Sequence, residues 1–159
     1  MKQRQLIINY CEYDTLAELP AEEQELMREA MRATALAYAP YSHFSVGAAV
    51  RMSDGSVVLG ANQENVAYPS GLCAERSALF HARIEHPGAA VAALAVVGRD
   101  AEGRYTEAAP CGACRQVMAE YEQLAGSKMT VLCYLDGGKI RRIEGVCSLL
   151  PFAFHAELE

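Results

Sequence analysis

Three cysteines and one glutamate, in the stretches Cys73-Ala74-Glu75-Arg76 and Pro110-Cys111-Gly112-Ala113-Cys114-Arg115, have the types and spacing to hold a metal ion and to move a proton beside it. Three thiolates close three corners of a tetrahedron around Zn²⁺ and leave the fourth for water, which distinguishes a catalytic zinc site from a structural one. Cys111 and Cys114, three apart on a helix, put both sulfurs on one side near its first turn. Glu75, half a turn after Cys73, can point at the open corner without binding the metal, the position of a general acid/base. A CxxC pair alone also suits a redox pair or inert thiols. The second motif favours metal. A dication held by three thiolates is left with a net negative charge, so the surroundings must withdraw charge from sulfur. Helix N-termini do this, and Arg76 is close enough in sequence to donate to a ligand sulfur, although it also reads as an ordinary surface cation.

The elements that place these groups can be read outward from them. Pro69-Ser70-Gly71 makes a turn that delivers Cys73 to the start of a helix running to about His86, where Pro87-Gly88 stops it. Pro110 suits the first turn of another helix, through Leu124 and ended by Gly126. Between them, Ala89 to Val97 is a continuous apolar run, the mark of a strand covered on both faces. Upstream, Pro20 to Ala39 carries apolar residues at helical spacing, with Glu22 and Glu23 in the first turn. Val46 to Met52 reads as a buried strand, joined by Ser53-Asp54-Gly55-Ser56 to a second that can continue through Glu64. On such a strand Asn62 and Glu64, two apart, project from the same face. Met129 to Leu135 and Lys139 to Ile143 are further strands, and Ser148 could start a final helical turn. Strands alternating with helices give an α/β sheet of two or three layers. Leu6 to Tyr10 is β-like, so residues 1–19 read as an added edge strand or arm before a catalytic unit of residues 20–159.

At 159 residues, 52% of them hydrophobic, the chain suits one domain with a full core. The net charge is −6, and the 14 lysines and arginines are scattered. A nucleic-acid partner would want a basic footprint, so a small neutral or cationic substrate is favoured. The apolar stretch behind Met1 is broken at Asn9 and Glu12, unlike a secretory signal, and Ala89–Val97 is about half the length a bilayer helix needs. A soluble cytoplasmic protein with no membrane partner is expected. In a reducing cytosol its six cysteines are metal ligands or buried thiols rather than disulfides, with Cys11, Cys133 and Cys147 expected as buried thiols. None of the four histidines is needed to complete the metal site, although His43 could border a pocket beside Phe44.

Cys73-Ala74-Glu75 followed by Pro110-Cys111-Gly112-Ala113-Cys114 resembles the zinc-dependent deaminases acting on nucleobases, in the version with Cys-x-Glu in place of His-x-Glu. The wider chain is similar to one branch, the small homotetrameric cytidine deaminases. Ala39 to Ala49 resembles their first loop and strand, Asn62-Gln63-Glu64-Asn65 their ribose segment, Tyr68 to Ala78 their first zinc motif, and Leu149-Leu150-Pro151-Phe152-Ala153-Phe154 their Leu-Leu-Pro-x-x-Phe tail. The likeness runs from about residue 22 to residue 158.

That resemblance implies a single-domain mixed β-sheet with helices packed on both faces, a three-layer α/β/α arrangement. It implies hydrolysis of cytidine and deoxycytidine to uridine and deoxyuridine with release of ammonia. Cys73, Cys111 and Cys114 would hold Zn²⁺, and Glu75 would carry a proton from the metal-activated water to N3 and then to the departing amine, which requires a pKa above that of a free carboxylate. The backbone N–H of Ala74 would meet the pyrimidine 2-carbonyl, Asn62 and Glu64 would grip the ribose 3′-hydroxyl, and Phe44 would pack on the substrate. Phe154 would stack on the base in a neighbouring subunit's pocket, giving a homotetramer with shared active sites. On residue type alone, Asn62 and Glu64 are equally a solvated strand end, Phe44 a core residue and Phe154 a hydrophobic cap. Rival activities are a same-fold deaminase of a modified cytosine nucleoside such as blasticidin S, an editing deaminase on nucleic acid, and a structural zinc module, which would need a fourth protein ligand.

Overall fold

The computed structural model describes residues 1–155. In chain order its elements are β1 (Cys11–Tyr13), α1 (Ala21–Ala33), β2 (Ser45–Met52), β3 (Val57–Ala61), α2 (Ala74–Glu85), β4 (Val91–Arg99), β5 (Tyr105–Thr106), α3 (Gly112–Ala125), β6 (Thr130–Tyr134) and β7 (Ile140–Glu144). The strands lie in the order β1-β7-β6-β4-β2-β3, with β5 beside the end of β4. β4 and β6 run parallel, and the other neighbouring pairs are antiparallel.

Alternation along β4 sets the layers. Leu94 and Val96 join one core with Ala78 and Leu79 of α2 and Met118 of α3. Ala93, Ala95 and Val97 join another with Leu26, Met27 and Ala30 of α1. Successive side chains of a strand point to opposite faces, so α1 covers one face and α2 with α3 the other. This is the expected three-layer arrangement. Two glycines let the helices approach closely. A Cβ at Gly47 would stand 2.1 Å from the Ala30 carbonyl oxygen, and one at Gly60 would stand 2.3 Å from the Ala78 nitrogen.

Several boundaries differ from the sequence reading. α1 ends at Ala33 and tightens into a 3₁₀ turn over Thr34–Leu36 instead of reaching Ala39, with Ala37 already extended ahead of Pro40, which disfavours helical geometry at Ala39. β3 stops at Ala61, and Gln63 makes only single bridges, to Tyr38 and Leu72. Leu6 to Tyr10 form no strand, which falls instead at Cys11–Tyr13 on the edge of β7, where Glu12 opposes Arg141 and pairs with it at 2.7 Å. The apolar run before it stays exposed. The loop after β4 contains the short β5. Cys133 is buried, which pushes its thiol up to about 12, whereas Cys11 and Cys147 are exposed rather than buried as expected. Both lie outside the cores, Cys11 on the sheet's edge strand and Cys147 in a 3₁₀ turn after β7. Among the described residues, no helix is long and apolar enough to cross a membrane.

Candidate active site

Both cysteine motifs sit at helix starts on the same face of the sheet. Cys73 is the N-cap of α2 and Cys111 the N-cap of α3, each in extended geometry with no side-chain capping bond. The first-turn N–H groups have no intrahelical acceptor, and their partial positive charge faces the sulfurs. Gly60 seats the first turn of α2 hard against β3, since a Cβ there would also lie 2.5 Å from the Ala74 carbonyl oxygen. That seating fixes the height at which Cys73, Ala74 and Glu75 meet the sheet.

The three sulfurs converge. Cys73 Sγ is 3.8 Å from Cys111 Sγ, which is 3.5 Å from Cys114 Sγ, and all three lie within 4.8 Å of one another. Sulfurs at tetrahedral angles, each about 2.3 Å from a zinc ion, stand about 3.8 Å apart, so the cluster has the size zinc requires. Among the described residues, no fourth His, Cys, Asp or Glu joins it. The electrostatics call for a cation. The Cys73 thiol is pushed down to about 5, first by the hydrogen bond with Cys114 and then, against burial, by Arg76 and Cys111, while Cys114 is pushed up by Cys73, by burial and by Glu75. A dication lets all three sulfurs ionise together.

Glu75 is 3% exposed, and burial pushes its carboxyl up, with the nearby negative Cys73 adding to the effect. Arg76 Nη2 is 3.6 Å from Cys73 Sγ. Cys73, Glu75 and Cys111 line a cavity of about 710 Å³, together with Ala74, Phe44, Asn62 and Glu64. A volume of that size suits a nucleoside-sized ligand. In the cavity lining, Asn62 accepts the Val46 N–H at 2.7 Å and donates to the Phe44 carbonyl at 2.9 Å. Glu64 accepts the Tyr41 N–H at 2.9 Å and the Ser42 hydroxyl, and these bonds hold its carboxyl below the ordinary value. Although β3 ends before them, Asn62 and Glu64 both face the cavity. The tip of the Phe44 ring lies against Gly98, where a Cβ would come within 2.6 Å of it.

Phe154 stands apart. It is 79% exposed and outside this cavity, its carbonyl bonded by Gln116 Nε2 at 2.8 Å. His43 does not line the cavity. Tyr41, Ser42, Tyr68 and Val96 do, unforeseen from the sequence, and Arg115 ties the Pro110 carbonyl at 2.7 Å to that of Leu149 at 2.9 Å. The only signal for Arg115 was its place directly after Cys114.

Residues 20–128 match the family model described as the cytidine and deoxycytidylate deaminase zinc-binding region. The chain belongs to the cytidine and deoxycytidylate deaminase family. Zinc is the metal of this family's site, and the three-sulfur cluster fits it. A cytidine deaminase of Halalkalibacterium halodurans is 47% identical to this deaminase-family chain over 136 residues, covering 86% of this chain and 96% of the relative. The crystal structure of a cytidine deaminase from Burkholderia pseudomallei is 43% identical, with a TM-score of 0.69 over 82% of this chain and 97% of the other. That from Mycobacterium tuberculosis is 36% identical, with a TM-score of 0.69 over 86% and 100%. This chain and those structures share the deaminase fold.

Proposed function

We propose that this chain is a hydrolase that deaminates cytidine and deoxycytidine, with Cys73, Cys111 and Cys114 holding Zn²⁺ and Glu75 as the proton shuttle. One observation carries the reading: three sulfurs at zinc-compatible separations, with no fourth ligand among the described residues, beside a buried carboxyl in a nucleoside-sized cavity. Zn²⁺ held by these three sulfurs would supply Lewis acidity toward a water. Glu75 would take one proton from that water and deliver it to N3 of the cytosine as the oxygen bonds C4, then take the remaining hydroxyl proton and give it to the amine, so that the C4–N bond breaks and ammonia leaves. The water oxygen stays on C4, giving uridine or deoxyuridine. A carboxyl with a raised pKa both accepts and donates near neutral pH. Arg76 withdraws charge from Cys73.

The Ala74 N–H, in the first turn of α2, meets the pyrimidine 2-carbonyl. Asn62 and Glu64 grip the ribose 3′-hydroxyl, and Phe44 packs on the substrate. Residues 20–159 form the catalytic domain and residues 1–19 an extension. The working assembly is a cytoplasmic homotetramer in which Phe154 of one subunit closes the neighbour's cavity. The exposure of Phe154 and its absence from the lining of its own cavity support this. The acidic balance supports a small nucleoside rather than a nucleic acid as partner.

Purified protein incubated with cytidine, deoxycytidine, blasticidin S and a cytosine-containing oligonucleotide, with ammonia measured, tests the reading. Release from the two nucleosides, lost in Glu75→Gln while zinc is retained, is the expected result. Release from blasticidin S or the oligonucleotide alone would replace it, and equal turnover by Glu75→Gln would remove the shuttle.

A further inference from the structure

The segment carrying Phe44 holds a conformation that its own sequence does not favour. His43 has φ of 56°, in the left-handed region that residues with a Cβ rarely adopt. Tyr41, Ser42 and His43 are all exposed, so core packing does not hold the chain there and hydrogen bonds must.

The His43 N–H bonds the Ala39 carbonyl at 3.1 Å, and the Ser42 hydroxyl joins the residues on either side of it. Ser42 Oγ donates to Glu64 Oε1 and accepts the Phe44 N–H at 3.1 Å. The other oxygen of Glu64 takes the Tyr41 N–H at 2.9 Å and the Ser42 N–H at 3.3 Å. Asn62 holds the far side, through the Phe44 carbonyl and the Val46 N–H. The hydroxyl is therefore a single-atom bridge between the carboxylate at the sugar end of the cavity and the backbone of the aromatic that packs on the substrate.

We propose that Ser42 is a positioning residue for nucleoside binding, its hydroxyl setting the Glu64 carboxylate and the Phe44 ring as one unit. The inference rests on the deaminase reading above. Without the hydroxyl, Glu64 keeps its backbone donors but loses the tie to Phe44, whose N–H is left without its acceptor. Substrate capture suffers and the chemical step does not, because Glu75 and the sulfurs stand on α2, α3 and their N-caps.

The test compares Ser42→Ala and Ser42→Thr, each alone and with Phe44→Ala, reading KM and kcat for cytidine and amide hydrogen exchange over residues 41–46. Loss of one such bond should raise KM about tenfold in Ser42→Ala and change kcat less than about twofold. Exchange at the Phe44 amide should quicken, and Ser42→Thr should restore both readouts. In the Phe44→Ala background the KM penalty of Ser42→Ala should shrink. A wild-type KM in Ser42→Ala, a loss confined to kcat, no rescue by Thr, or an undiminished penalty beside Phe44→Ala would each overturn the proposal. If the unmodified protein releases no ammonia from cytidine, the deaminase reading falls on its own. Exchange then decides: quickening in Ser42→Ala but not in Ser42→Thr upholds the bridge, and no change sinks it.

Discussion

Arg76 Nη2 stands 3.6 Å from the Sγ of Cys73, and the Nε of the same guanidinium is buried without a hydrogen-bond partner among the described residues. The cation is thus directed at sulfur. Replacing it in Arg76→Gln leaves the negative charge of the ligand set undrained, which should weaken zinc binding about 10–100-fold and slow turnover. Arg76→Lys keeps the charge but not the planar donor, and should fall between. Chelator competition and kcat measure both effects, and wild-type values in Arg76→Gln would deny the guanidinium any part.

Burial makes Glu75 a reporter of pH. Its carboxyl is raised above its ordinary 4.5, desolvation being the largest cause. A group raised in the folded state contributes stability that is complete below its unfolded pKa and is lost as pH rises through the folded value. Glu75→Gln stays neutral at every pH. Among metal-free proteins, the melting temperature of Glu75→Gln relative to wild type should therefore climb between about pH 4 and the raised pKa of Glu75, then level off. A difference that stays flat across the titration would contradict the assigned direction.

Gly60 and Gly47 make a matched pair of tests, one behind each helix layer. A Cβ at Gly60 collides with the first turn of α2, and one at Gly47 lies 2.1 Å from the Ala30 carbonyl of α1. Forcing an extra methyl into such contacts costs about 1–3 kcal/mol, so both alanine variants should melt lower. Their sites should differ. Gly60→Ala displaces the helix that carries Glu75 and follows Cys73, and should lose zinc and activity at temperatures where it is still folded, whereas Gly47→Ala should keep both. Equal zinc loss in the two variants would separate α2 seating from metal binding.

Much of this site is legible in sequence because zinc accepts few ligand types and because proline and glycine fix where helices begin. Cys73 falls at the N-cap of α2 just after the Tyr68–Ser70 turn, whereas α3 begins at Gly112 with Cys111 as its N-cap, so Pro110 lies before the helix instead of in its first turn. The central strand is legible in Ala89 to Val97, an unbroken apolar run that suits a strand covered on both faces, although it falls at Val91–Arg99. Ser42 is not legible, because its partner Glu64 is 22 residues away and the bond exists only once the loop has folded over the end of β3. The edge strand misleads for a related reason: local β propensity favours Leu6 to Tyr10, while the pairing with β7 falls at Cys11–Tyr13, opposite residues distant in sequence.

Shared sites leave a signature that no single-chain defect can imitate. Phe154 is 79% exposed and lies outside the cavity of its own chain, although Gln116 fixes its carbonyl beside α3. If it closes a neighbour's cavity, Phe154→Ala should raise KM for cytidine without changing the zinc content or the mass of the assembly in solution. Glu75→Gln should abolish turnover by itself. When the two variants are dissociated together and allowed to reassemble, some cavities combine an intact Glu75 from one chain with an intact Phe154 from another. Turnover at low cytidine should then exceed the average of the two parents. A mixture that only averages them would make each cavity the work of one chain.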